Sequence, residues 1–259
     1  MIKYVDIFST EVERSCTSLL EVWADPSVKV VVARPDIVPD DVKEFYESIF
    51  PLLGTPAAYA EDARISDRTR QRTGEIWMEI RFDPSIQNAY RHSSQAQPLH
   101  TDGSYIPGFP NSSLLCCVTN AAEGGETVFI DSKDLVDTLI KEKPDLYSKL
   151  VNKPIPHARS GDRRDDFVLK KNEGNWYVNW NYYCVSPELD DERRTTVEEF
   201  HEFLNFSPSV KHCLVPIKLE PGEAVMWKDN EVLHGRNDFK ASSAGERFIW
   251  KCAFDVGVF

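Results

Sequence analysis

The chain is 259 residues long and carries 42 Asp plus Glu against 30 Lys plus Arg, a formal charge of −12. That balance argues against nucleic acid as a partner, since neutralising phosphates takes clustered Lys and Arg, and against docking on an anionic membrane. Hydrophobic residues make up 41% of the chain and aromatics 11%, enough for a sizeable core and too much for disorder.

No apolar run approaches the roughly 20 residues of a membrane span. Met1 to Ser15 lacks the basic-then-apolar pattern of a signal peptide. The six cysteines form no C-x-x-C pair and read as buried thiols in a reducing compartment. The expected location is therefore cytoplasmic, and the expected organisation is one domain over residues 1–259.

In chain order, Thr10-Glu11-Val12-Glu13 has capping-box spacing ahead of a helix with Cys16, Leu19, Leu20 and Trp23 on one face. Val28 to Val32 reads as a buried strand. Asp40 or Asp41 caps a second helix carrying Val42, Phe45, Tyr46 and Ile49. Strands are expected at Ile76–Phe82, Leu114–Thr119 and Thr127–Ile130, and a helix from Ser132 carrying Leu135, Val136, Leu139 and Ile140. Phe167–Leu169 and Trp176–Trp180 flank a hairpin loop containing Gly174. A further helix spans 190–205. Leu214–Leu219, Ala224–Trp227 and Phe248–Phe254 close the chain as strands. Several strands with a few surface helices predict a mainly β sandwich or jelly roll with flanking helices.

The sequence has no P-loop, G-x-G-x-x-G, H-E-x-x-H or G-x-S-x-G. Its chemistry must come from six histidines: His92, His100, His157, His201, His212 and His234. His100-Thr101-Asp102 stands out because residues i and i+2 of a strand share a face, so an imidazole and a carboxylate could meet at one metal ion. A distant third ligand would complete a two-histidine, one-carboxylate facial triad, which leaves positions open for a cosubstrate and dioxygen on non-haem iron(II).

Downstream stand Gly124-Gly125-Glu126-Thr127, then Leu233-His234-Gly235-Arg236, then Arg247. The ordered set His100, Asp102, Thr127, His234 and Arg247 resembles the taurine dioxygenase family of iron(II)/2-oxoglutarate-dependent oxygenases, over roughly residues 95–254. The resemblance implies a double-stranded β-helix, a distorted jelly roll. It implies that His100, Asp102 and His234 hold the iron, and that Arg247 and Thr127 bind the distal carboxylate of 2-oxoglutarate, the Arg247 guanidinium being a planar fork suited to a carboxylate. It implies dioxygen as oxidant and hydroxylation as the first outcome, because halogenases of this mechanism lack the carboxylate that Asp102 supplies here; desaturation or ring closure with the same iron chemistry is the alternative outcome.

Each residue also has an ordinary reading: His234 as a loop hydrogen bonder, Arg247 as a solvated charge, Thr127 as a plain strand residue after a plain turn. Arg236 is assigned to bracing its loop, and His92, His157, His201 and His212 to structural roles. Trp176, Tyr177, Trp180, Tyr182 and Tyr183 are expected in the core or on a sheet face. Gly103 to Asn111 should border the mouth of the site. The basic run Pro156 to Arg164 is either a solvated loop or a lid that recognises an anion.

The resemblance makes a small polar or anionic molecule the expected substrate, with a free or carrier-bound amino acid first. Two other classes are a non-redox metal enzyme on a cupin-like barrel, which has no use for the Thr127/Arg247 pair, and a silent binding module, which does not need all three ligands.

Overall fold

Runs such as Val30-Val31-Val32 and Leu114-Leu115-Cys116-Cys117 place apolar side chains on both faces of a strand, so both faces need cover. A computed structural model, describing residues 1–62, 72–86 and 90–257, shows how this is done. The chain begins with β1 (Ile2–Ile7), α1 (Val12–Ala24), β2 (Val30–Pro35), α2 (Val42–Leu53), β3 (Gly54–Ala57) and β4 (Met78–Arg81). Then come β5 (Gln97–His100), β6 (Ser112–Thr119), β7 (Thr127–Asp131), α3 (Ser132–Glu142) and α4 (Pro144–Asn152). Two hairpins follow, β8 (Pro154–Arg159) with β9 (Asp162–Phe167), and β10 (Leu169–Asn172) with β11 (Asn175–Val178). The last part holds α5 (Asp191–Phe206), α6 (Pro208–Cys213), β12 (Val215–Ile217), β13 (Ala224–Lys228), β14 (Val232–Arg236) and β15 (Phe248–Val256).

The larger sheet has the order β1-β2-β13-β6-β15-β3, with β4 also paired to β15, and the smaller is β12-β7-β14-β5. Together they form the jelly roll. The period of two along each strand sorts the side chains into layers. On β2, Val30 and Val32 join Leu115, Val225, Trp227, Phe129 and Val232 between the sheets. Val31 and Ala33, one position over, pack with Leu19, Trp23, Tyr46 and Ile49 of α1 and α2. Behind the smaller sheet, Leu135, Leu139, Leu150, Phe200 and Val210 of α3 to α6 cover Val128, Ile130 and Leu233. Each such fully buried side chain contributes about 1.5–3 kcal/mol.

Local departures from expectation have local causes. The capping box at Thr10 does not form: the N-cap of α1 is Glu11, with no side-chain cap bond. A turn closed by Glu11 N–H on the Phe8 carbonyl at 2.9 Å comes first and shifts the start. Asp41, by contrast, caps α2 by accepting from Glu44 N–H at 2.9 Å. The strand expected over Ile76–Phe82 narrows to β4, with Trp77 turned to donate its indole N–H to Glu47. The hairpin is tighter than expected, since Asn172 pairs with Asn175 across Glu173 and Gly174, both at positive φ. β1, α4 and the β8–β9 hairpin were not expected. Five of the six cysteines are buried and none forms a disulfide. Among the described residues, no helix is long and apolar enough to cross a membrane.

Candidate metal centre and its surroundings

The smaller sheet builds the site. His234 on β14 pairs in register with His100 at the end of β5 and with Phe129 on β7. Directly opposed residues of an antiparallel pair share a face, and the two imidazole centroids lie 4.2 Å apart. Asp102 arrives differently from the strand geometry expected: β5 stops at His100, and Asp102 sits in the turn beyond it. Its backbone N–H donates to Asp229 Oδ1 at 3.1 Å, and that oxygen also accepts from the Trp227 indole at 3.1 Å. A buried side chain from the β13–β14 connection thus does what a strand register would have done.

Asp102 Oδ1 lies 3.8 Å from Nε2 of both His100 and His234. One ligand atom from each of the three residues falls within 4.8 Å of the others. His100 Nδ1 bonds the Pro98 carbonyl at 2.9 Å, which fixes the tautomer that turns the Nε2 lone pair inward. Burial pushes both imidazoles below their ordinary range, and His100 further lowers its neighbour His234, so both are neutral and able to ligate. Burial would raise the Asp102 carboxyl, but Lys251, His234 and His100 overcome it and hold the group well below the usual carboxylate range. Two buried, neutral imidazoles and one partly buried, anionic carboxylate fit a divalent ion such as iron(II).

The carboxylate has further partners. Ser113 Oγ–H donates to Asp102 Oδ2 at 2.9 Å, and the Lys251 ammonium pairs with Oδ1. Gln97 Nε2 lies 3.2 Å from His100 Nε2. Sequence reasoning missed Gln97, Ser113, Asp229 and Lys251. Only Lys251 had a signal, a lysine inside the apolar run Phe248 to Phe254. A cavity of about 60 Å³ opens beside Asp102 and Lys251, walled by Tyr59, Met78, Tyr105 and Phe109. The segment Gly103 to Asn111 therefore does border the site.

Thr127 begins β7 opposite Arg236, and both are buried on the face that carries His234. Arg247, directly before β15, is buried against the turn of Gly124 and Gly125, where Nη2 donates to the Gly125 carbonyl at 3.4 Å. That turn needs glycine: Gly124 has φ +78°, and a Cβ there would stand 2.2 Å from the Asp238 carbonyl oxygen. Burial, with Arg236 adding to it, pushes the Arg247 guanidinium down to about 9, and burial lowers Arg236 to about 10. Arg236 does brace its surroundings, donating from Nη2 to the carbonyls of Ser93 and Gln95.

The remaining histidines lie outside the cluster. His92 bonds the Arg81 carbonyl, His157 the Ile155 carbonyl, and His201 stacks on Tyr182. Trp180 is buried in the core under α5, with Trp176 and Tyr182 packed against it. The basic run at 156–164 is the β8–β9 hairpin rather than a loop. Arg163 and Arg164 pair with Asp165 and Asp166 of their own strand, so their charge is offset locally. Arg159 and Ser160 reach Glu61, which also accepts from Tyr105 beside the metal cluster and pairs with Arg91.

A jelly roll enclosing two histidines and one carboxylate, with a buried arginine and threonine alongside, defines the class of non-haem iron(II)/2-oxoglutarate oxygenases. The chain belongs to the taurine catabolism dioxygenase TauD, TfdA family, whose model matches residues 19–253. It is 26% identical over 167 residues to γ-butyrobetaine dioxygenase of Pseudomonas sp. (strain AK-1), an alignment spanning 61% of this chain and 43% of that protein. It is 23% identical over 231 residues to uridine-5′-phosphate dioxygenase of Streptomyces sp., spanning 78% and 84%. The chain thus spans less than half of the first of these relatives. Among solved structures, asparagine oxygenase superposes with a TM-score of 0.68 at 14% identity, covering 95% of this chain and 78% of that one. The non-haem iron oxygenase OrfP, in complex with Fe and α-ketoglutaric acid, gives 0.64 at 16% identity, covering 94% and 80%.

Proposed function

We propose that this chain is an iron(II)- and 2-oxoglutarate-dependent dioxygenase that hydroxylates an aliphatic C–H bond of a small polar or anionic substrate, a free or carrier-bound amino acid being the first candidate. The observation that carries the reading is the convergence of His100, Asp102 and His234 within 4.8 Å, with buried Thr127 on the strand paired to that of His234 and buried Arg247 against the Gly125 turn. Residues 1–259 act as one catalytic domain in this reading, supported by a single apolar cluster shared between the two sheets.

Iron(II) held by His100, Asp102 and His234 would couple oxidative decarboxylation of 2-oxoglutarate, to succinate and CO₂, with transfer of the second oxygen atom of dioxygen to a substrate C–H. The chain's own residues prepare that event. Ser113 holds one oxygen of Asp102 and orients the other toward the imidazoles. The Arg247 guanidinium and the Thr127 hydroxyl receive the distal carboxylate of the ketoacid. Trp227, its ring centroid 4.6 Å from that of His234, and Phe129 form an apolar wall on one side of the cluster. Lys251 offers an ammonium to an anionic substrate group, and Tyr59, Met78 and Phe109 offer surface to its apolar part. Asp102 fills the position that a halogenase leaves to chloride, which favours hydroxylation.

The amino acid preference is supported by structural neighbours bound to 3-hydroxyasparagine and to (3S)-hydroxy-L-arginine, and by a 23%-identical relative named trimethyllysine dioxygenase. The test is anaerobic iron(II) titration followed by a panel of amino acids with 2-oxoglutarate and dioxygen, monitored by succinate release. Turnover that needs all three components, and loss of iron binding in His234→Ala, are expected. Full iron affinity and turnover in His234→Ala would sink the assignment. Turnover without 2-oxoglutarate would favour the cupin-like reading.

A further inference from the structure

Arg236 and Arg247 bring two guanidinium groups to the same part of the jelly roll, and neither has a carboxylate partner among the described residues. Arg236 is 5% exposed and Arg247 3%. Their guanidinium carbons lie 5.0 and 5.4 Å from the centroid of one ring, that of Phe239. Each keeps a buried Nε with no hydrogen-bond partner. Their recorded bonds go to backbone carbonyls, those of Ser93 and Gln95 for Arg236 and of Gly125 for Arg247. Carbonyls satisfy donors but leave net charge in place, and two like charges in a low-dielectric interior repel each other.

The arrangement is one that an anion relieves. Bracing alone does not require a second cation here, since a neutral side chain with two N–H groups could serve the same carbonyls. The register shows where the anion would go. Arg236 stands opposite Thr127 in the β14–β7 pair, and His234 lies two residues earlier on the same strand, so all three share one face. Arg247 approaches from the Gly125 turn directly before Thr127.

We infer that Arg236 is a specificity-determining residue of the cosubstrate site, joining Arg247 and Thr127 in receiving the distal carboxylate and so selecting a dicarboxylate ketoacid over one that ends in a neutral chain. The inference rests on the proposed 2-oxoglutarate reading and goes beyond the bracing role. A 2-oxo acid ending in a methyl group would press an apolar end against two buried cations, whereas 2-oxoglutarate places a carboxylate between them.

The test is calorimetric titration of 2-oxoglutarate and of 2-oxobutyrate into protein loaded with redox-inert Mn(II), for the parent, Arg236→Met and Arg236→Lys. The parent should prefer 2-oxoglutarate. Arg236→Met should weaken 2-oxoglutarate by roughly tenfold or more, the worth of one charge-assisted hydrogen bond, while leaving 2-oxobutyrate unchanged or tighter. Arg236→Lys, which keeps the charge but replaces the planar Nη2 group that donates to the Ser93 and Gln95 carbonyls, should retain most of the preference. Equal loss for both ketoacids in Arg236→Met, or loss of preference in Arg236→Lys to the same extent, would mean that bracing is the whole role and overturn the inference. Undiminished preference in Arg236→Met overturns it too. A parent that binds neither ketoacid overturns the 2-oxoglutarate reading, and the inference falls with it.

Discussion

Arg247 and Thr127 differ in what their removal leaves behind. In the proposed cosubstrate site, truncating Arg247 would deprive a buried carboxylate of its charged partner, an effect typically of about 2–5 kcal/mol. Truncating Thr127 would there remove one hydrogen bond to a charged group, about 1.5–3 kcal/mol. Arg247→Ala should therefore raise the 2-oxoglutarate KM by a larger factor than Thr127→Ala, measured by succinate release at saturating substrate. Variants that both keep the parent's dependence would mean that the anchor lies elsewhere. Ser113, Asp229 and Lys251 act through contacts across 11 to 149 positions of chain, which no local pattern records, and only Lys251 left a trace, as a lysine inside an apolar run.

Two elements carry predictions of their own. Glu61 ties the β8–β9 hairpin to the metal loop through Arg159, Ser160 and Tyr105, and to Arg91. Burial pushes its carboxyl up, but Arg159 and the hydrogen bonds from Tyr105 and Ser160 more than offset this and leave it below the ordinary value. A carboxyl depressed in the folded state stabilises fully above its unfolded pKa of about 4.3, and that stability is lost as the pH falls through the folded value. Urea unfolding of the parent should therefore lose stability on acidification below about pH 4.3 more steeply than Glu61→Gln. Glu61→Ala, which removes the buried carboxylate that Arg91, Arg159, Tyr105 and Ser160 share, should cost about 3–5 kcal/mol at pH 7. An identical acid limb in parent and Glu61→Gln would refute the role of this carboxylate. In the β10–β11 hairpin, Glu173 is held at φ +49°, a left-handed conformation that costs an ordinary residue about 1–2 kcal/mol. Asn-Gly suits such a two-residue turn, so Glu173→Asn should raise the unfolding free energy by roughly 0.5–1 kcal/mol. An unchanged or lower value would show that the strain is relieved elsewhere.

For the whole molecule, the three candidate ligands come from the end of β5, the turn beyond it and β14. Binding a divalent ion to all three ties these segments together in the native state alone. At free metal about 100-fold above its Kd, linkage adds about 2.7 kcal/mol to the unfolding free energy. Mn(II) should therefore shift the urea midpoint of the parent upward, chelator should reverse the shift, and His234→Ala should abolish it. A shift of equal size in His234→Ala would place the metal at another site.

Much of this architecture was legible because apolar periodicity is a local property. The helix faces of α1, α2, α3 and α5 and the central strands β6, β7, β13 and β15 follow from it within a few residues. The ordered set His100, Asp102, Thr127, His234 and Arg247 could be picked out for another reason: its order along the chain resembles that of the family to which the chain belongs. What the sequence by itself determined was the class of sheet, the layers and the candidate residues for a metal site. Only the tertiary structure decided how Asp102 is brought to the histidines, which side chains support it, and that Arg236 shares its surroundings with Arg247. Those facts depend on strand register and on contacts between distant segments, where a shift of a single position would turn each of these side chains to the opposite face.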